Sequence, residues 1–145
     1  MAPVIGLGMT QERNHAAPVG NSHGFSIEWL RLPAGGSVSR HSLAEKQVLI
    51  VYRGAVEIAV EPAPGQAAVS QVARGTPEGW DSFAMPADCP RSYKNTGNTD
   101  AMMLLMTPGD GRKTIHWSPD VVTAAGEMDR AVDANGFVGL KRLVG

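Results

Sequence analysis

Cysteine is scarce in this chain. Its one thiol, Cys89, cannot form an intramolecular disulfide, and an all-cysteine zinc site is excluded with it. Surplus charge is absent as well. Thirteen Lys and Arg face fourteen Asp and Glu, for a formal charge of -1. A protein that grips nucleic acid by its phosphates needs a basic excess, so that class of partner is set aside. No apolar run approaches the roughly 20 residues that span a bilayer, and the opening MAPVIGLGMTQER lacks the basic start of a secretory signal. The expectation is a cytoplasmic protein with no membrane partner. Aromatics make up only 6% of the residues, so the core must rest on aliphatics and methionine. The GLG at 6–8 lacks the third glycine and the strand–helix–strand pattern of a dinucleotide loop.

What is present suits one soluble domain: 145 residues, 43% hydrophobic. Seventeen glycines and ten prolines are scattered as punctuation, which points to many short strands joined by tight turns. Phe25–Leu32 (FSIEWLRL) reads as a strand ended by Pro33, and Ser37–His41 as a short extended segment. Gln47–Arg53 (QVLIVYR) is a near-continuous apolar run. Gly54 breaks it, and Ala55–Glu61 alternates with a period near two, so the two runs are expected to form an antiparallel hairpin. PAPG at 62–65 is a turn. Ala67–Ala73, Trp80–Met85, Arg91–Asn95 and Ala101–Thr107 complete seven or eight strands at sandwich or barrel spacing. Ser118 as N-cap and Pro119 at the first helical position start a helix over Pro119–Arg130, with Asp120 in its first turn. Phe137–Val144 is a last strand or docking segment. The division expected is an arm at 1–23, an all-β barrel at 24–108 and a helical tail at 109–145, packed on the barrel.

Two spaced patterns then carry a likeness. Gly35, His41, Leu43, Gln47 and Gly54 fall at the places of G-x5-H-x-H-x3-E-x6-G, and Pro86, Asp88, Arg91 and Asn95 at the later places of G-x5-P-x-G-x2-H-x3-N. In these residues the chain resembles the cupin superfamily of jelly-roll barrels. The resemblance implies a barrel mouth in which two histidines, a glutamate and a third histidine hold a divalent transition metal. Place by place, this chain offers His41, Leu43, Gln47 and Arg91. Leu43 donates no lone pair, Gln47 only a neutral amide oxygen, and Arg91 carries a fixed positive charge. The expectation is therefore a degenerate metal site without a tightly bound cofactor. If a metal binds, it does so weakly, on His41 and Gln47.

An arginine facing into such a barrel is a receptor for a small organic anion, because its planar fork matches a carboxylate with two parallel hydrogen bonds. Its rival explanation is an internal ion pair with Glu45 or Asp88. Arg91, Gln47, Asn95 and Leu43 are the expected ligand-binding residues. His41 and Tyr93 are the candidates for proton transfer of an isomerase, cyclase or lyase type. Two alternatives stand beside this. One is a metal-dependent oxygenase or isomerase with a drifted site using His41 with Glu45, Gln47 or His23. The other is a non-enzymatic sensing or storage module. Cys89 is expected to be a small hydrophobe, His15 and His116 to be solvated or structural, and the chain to form a homodimer through an exposed sheet edge and its arm.

Overall fold

A computed structural model describes residues 1–11, 14, 16–20, 22–63 and 65–143. His15, Pro64 of the expected PAPG turn and Val144 lie outside the described residues. The chain runs β1 (Ala2–Ile5), β2 (Phe25–Leu32), β3 (Ser37–Ser42), β4 (Gln47–Val60), β5 (Val69–Thr76), β6 (Gly79–Met85), β7 (Arg91–Asn95), β8 (Ala101–Pro108) and β9 (His116–Trp117). The helix α1 (Pro119–Glu127) and a small hairpin of β10 (Arg130–Val132) and β11 (Val138–Leu140) follow. The main sheet is ordered β1-β2-β8-β4-β7-β3-β9, with β5 and β6 also paired to β4. The arm thus supplies an edge strand on β2, and the tail supplies β9 on β3.

The hairpin expected at Gly54 does not exist. β4 is one strand of 14 residues that passes straight through the glycine. Its first half lies between β8 and β6 and its second half between β5 and β7, so one strand serves both walls of the barrel. The register slips between Val51 and Arg53, and the buried positions change parity there. They are Gln47, Leu49 and Val51 before the slip, and Val56 and Ile58 after it. A one-residue slip exchanges the two faces of a strand, so this bulge keeps the apolar face inward on both sides of the bend. Gly54 has φ +86°, and a Cβ on it would stand 3.0 Å from Ala101 Cα. Gly75 is its partner in register, and a Cβ there would overlap the Tyr52 and Arg53 backbone. Gly75→Ala is expected to destabilise the protein by about 3 kcal/mol, the upper end of ordinary overpacking, because neither backbone can yield. A urea-denaturation midpoint equal to that of the unaltered protein would refute this account of the bend.

β2, β7 and β8 lie within a residue of the expected bounds. The helix ends three residues early, at Glu127. Ser118 occupies the N-cap position with extended backbone, but its side chain makes no capping bond, contrary to expectation. Its carbonyl instead accepts the Val121 and Val122 amides. The core is a single cluster filled by inward residues of both walls, among them Leu30, Leu49, Ile58, Met103 and Leu105.

Candidate functional site

Alternation along β7 turns Arg91, Tyr93 and Asn95 to the interior, as the spacing predicts. His41 on β3 is the register partner of Arg91. Gln47 opens β4, and Leu43 lies in the β3–β4 connection. All six side chains are sealed from solvent, none more than 1% exposed.

Tyr93, Gln47 and His41 form a connected set. The Tyr93 hydroxyl donates to Gln47 Oε1 at 2.9 Å and lies 3.4 Å from Met85 Sδ. The Gln47 amide donates to Thr107 Oγ1 at 3.1 Å and points at Met9 Sδ at 3.2 Å. The His41 ring meets Tyr93 edge-on at 5.7 Å between centroids and Trp117 at 5.4 Å. His41 Nδ1 lies 2.8 Å from the Ser39 carbonyl, which only a protonated nitrogen can satisfy, so the lone pair is on Nε2. Nε2 has no partner. Burial, helped by the Arg91 charge, lowers the His41 pKa to about 4. Burial also pushes Tyr93 far above the ordinary phenol range, against a smaller opposing pull from Arg91.

Arg91 donates from Nη1 to the Pro86 carbonyl at 3.2 Å, while Nε and Nη2 have no partner among the described residues. Those two nitrogens share one edge of the guanidinium, the edge that takes a carboxylate side-on. Among the described residues neither Glu45 nor Asp88 forms an ion pair with it. Glu45 lies instead 3.9 Å from Lys113 Nζ. Burial lowers the Arg91 pKa from its ordinary value. Asn95 belongs elsewhere. Its amide faces the Leu32, Pro33 and Thr99 carbonyls at 2.9, 3.1 and 2.7 Å, and Oδ1 accepts the Gly97 amide. Every polar atom it has is tied to a turn, so the expected ligand contact gives way to a structural one. Leu43 contributes an apolar wall.

No family model matches the sequence, and no curated protein does. Solved structures do. An oxalate oxidase studied for its mechanism superposes with a TM-score of 0.60 at 20% identity, over 68% of this chain and 48% of that one. An oxalate oxidase in complex with the substrate analogue glycolate gives 0.61 at 19%, over 72% and 51%. A Bacillus subtilis oxalate decarboxylase gives 0.53 at 15%, over 60% and 21%. Oxalate oxidase and oxalate decarboxylase are cupins. The chain has the cupin fold. It spans about half the length of the two oxalate oxidases.

The cupin resemblance implies a metal, and the residues here do not fit one. Of the four cupin ligand places, only His41 Nε2 is a free donor. Gln47 Oε1 is taken by Tyr93, Leu43 has nothing to give, and Arg91 carries a positive charge and no lone pair to offer. Among the described residues, no three His, Cys, Asp or Glu side chains gather into a metal-holding group. His23 is exposed, edge-on to Phe25. Cys89 is buried, its sulfur 3.6 Å from the Pro62 carbonyl.

Sequence reasoning missed Glu28. It stands on the inward face of β2, fully buried, with Oε2 accepting the Met9 amide at 2.8 Å and Oε1 unpartnered. Burial raises its pKa to about 7, against the Met9 and Thr10 amides, the N-terminus and Lys113, which pull it down. The buried side-chain atoms without a partner among the described residues are thus Glu28 Oε1, His41 Nε2 and the free edge of Arg91.

Proposed function

We propose that this chain is a small-molecule-binding cupin whose interior takes a small organic anion on Arg91, without a tightly bound metal. The observation that carries the reading is a buried guanidinium with its carboxylate-binding edge unpartnered. A buried charge left so is costly, and a ligand oxygen pair removes the penalty. Gln47 and Tyr93 fix the orientation, and the neutral His41 Nε2 accepts from a ligand hydroxyl or amine. Binding is better supported than catalysis. Proton transfer at neutral pH needs groups that titrate near it; the two candidates, His41 and Tyr93, are moved away in opposite directions, and Glu28, at about 7, is engaged by the Met9 amide. Glycolate, the analogue held by an oxalate oxidase of the same fold, sets the size of ligand to try first.

The test is thermal unfolding against formate, acetate, glycolate and oxalate at constant ionic strength, with chloride as control. A bound anion raises Tm with the logarithm of its concentration. The expected result is such a rise for at least one organic anion, lost in Arg91→Ala. An equal rise in the variant, or none in either protein, would overturn the reading. One transition-metal ion per chain by elemental analysis of the purified protein would overturn its metal-free part.

We further propose that the partner of the main sheet's outer face is a second copy. An antiparallel sheet with one wet face alternates apolar and polar residues. Here the outward positions include Ile27 and Trp29 on β2, Val48 and Ile50 on β4, and Leu104 and Met106 on β8, with Trp80 62% exposed beside them. The rim carries both signs, Arg31 with Asp100 and also Arg53, as a two-fold self-complementary surface requires. Light scattering should give twice the chain mass, and Trp80→Glu should halve it. A monomer at high concentration would refute the dimer.

A further inference from the structure

The GLG that fails as a dinucleotide loop has another use. Gly6 and Gly8 take φ of +66° and +53°, and neither has room for a Cβ. At Gly6 it would stand 2.9 Å from the Asp110 carbonyl oxygen, and at Gly8 it would overlap the Glu28 carboxyl. The close approach turns the arm inward. Met9 is 2% exposed and belongs to the same apolar cluster as Leu30, Leu43 and Leu49. The backbone of the segment is held along its length: the Leu7 amide donates to the Asp110 carbonyl at 3.0 Å, the Met9 amide to Glu28 Oε2 at 2.8 Å, the Lys113 amide to the Gly8 carbonyl at 2.7 Å, and Arg112 Nη1 to the Thr10 carbonyl at 2.9 Å, which leaves the Met9 side chain as the part that can move.

Outside Met9 lies a cleft of about 420 Å³, walled also by Thr10, Leu30, Val38, Ser39 and Trp117. Inside it lies Gln47, whose amide faces the Met9 sulfur. Met9 is therefore common to the wall of the open cleft and to the packed interior. A thioether is a weak acceptor for an amide donor. It also sits on an unbranched, adaptable side chain.

We propose that Met9 is a tethered plug: the Gly6–Thr10 segment fills the entrance to the barrel interior, and a ligand enters from the cleft when Met9 withdraws. The nature of the entering ligand rests on the anion reading above; the plug itself does not. A ligand oxygen that replaces the sulfur meets Gln47 first, then the Tyr93 hydroxyl, with Arg91 two residues along the same inward face of β7. The closed state lowers apparent affinity by the fraction of molecules that are open.

The plug is tested without any anion. Thr107 Oγ1 accepts from the Gln47 amide that touches Met9, so Thr107→Cys in a Cys89→Ala background reports entry by methyl methanethiosulfonate. Labelling is expected to be slow and to accelerate tenfold or more on adding Met9→Ala. An unchanged rate overturns the plug, as does an equal acceleration from Val56→Ala, a core truncation on the far half of β4. If Thr107→Cys does not fold, hydrogen exchange of the unaltered protein decides. The Gln47 side-chain amide, which faces the Met9 sulfur, is expected to exchange faster than the Leu49 backbone amide, and exchange only by global unfolding overturns the plug. Acetate titration separates the two proposals. Met9→Ala is expected to bind acetate tenfold or more tightly than the unaltered protein. Accelerated labelling with no acetate binding supports the plug and overturns the anion reading.

Discussion

Replacing Arg91 with methionine is expected to stabilise the protein by about 1 kcal/mol, the low end of the range found when buried ion pairs give way to apolar side chains of similar volume. The guanidinium is 1% exposed, burial already lowers its pKa, and two of its three nitrogens have no partner. The substitution removes that penalty. It also removes the Nη1 bond to the Pro86 carbonyl, a bond from a charged group worth about 1.5–3 kcal/mol, which is why the low end of that range is expected. The same variant is expected to lose every response to organic anions. A residue that strains the empty fold and is relieved by ligand is what selection for binding leaves behind. Urea denaturation in chloride buffer decides between accounts. A loss of stability in Arg91→Met would make the arginine a structural pillar and end the argument for a receptor.

The second large effect is in pH dependence, where two buried groups oppose each other. Glu28 holds its proton more tightly in the folded chain, from 4.5 up to about 7. Its contribution to stability is therefore full below 4.5 and is lost as pH rises through 7, amounting to about 3 kcal/mol at roughly 1.4 kcal/mol per pH unit. His41 goes the other way, from 6.5 down to about 4. Its contribution is full above 6.5 and is lost as pH falls through 4, again about 3 kcal/mol. Between 4.5 and 6.5 the two slopes cancel. Glu28→Gln should expose the histidine, giving a protein about 3 kcal/mol more stable at pH 8 that weakens steadily below pH 6.5. His41→Asn, which keeps a donor for the Ser39 carbonyl, should expose the glutamate, giving a protein that weakens as pH rises from 4.5 to 7. Chemical denaturation across this range is the check. If both variants follow the pH profile of the unaltered protein, the two groups are not buried as described.

The strands and the inward set of β7 were legible because Pro33, the turn at 96–98 and a two-residue period mark them locally. The bend in β4 was not. A hairpin and a bulge both show as a glycine with a change of phase. Only pairing partners far away in sequence, β6 and β8 on one side and β5 and β7 on the other, decide between them. Glu28 was hidden for a related reason. In FSIEWLRL the outward residues Phe25, Ile27 and Trp29 are more apolar than the inward Ser26 and Glu28, so hydropathy points the wrong way. A carboxylate alone in an apolar strand was the available signal. Met9 was hidden in an arm without periodicity, and its trace was the paired glycines before it. The Arg91 substitution in the cupin pattern was readable at once, since it depends on chain order alone. Whether the arginine was paired was not, because pairing with Asp88, three residues away, or with Glu45, far off in the chain, depends on side-chain geometry, and only geometry gives Glu45 to Lys113.

The most direct measurement is the nuclear magnetic resonance signal of Arg91 Nε–Hε during titration with acetate, assigned by its loss in Arg91→Met. The account predicts a saturable shift of that one signal with acetate and none with chloride. A signal that stays in place at saturating acetate, or that drifts linearly with ionic strength in both titrations, would contradict it.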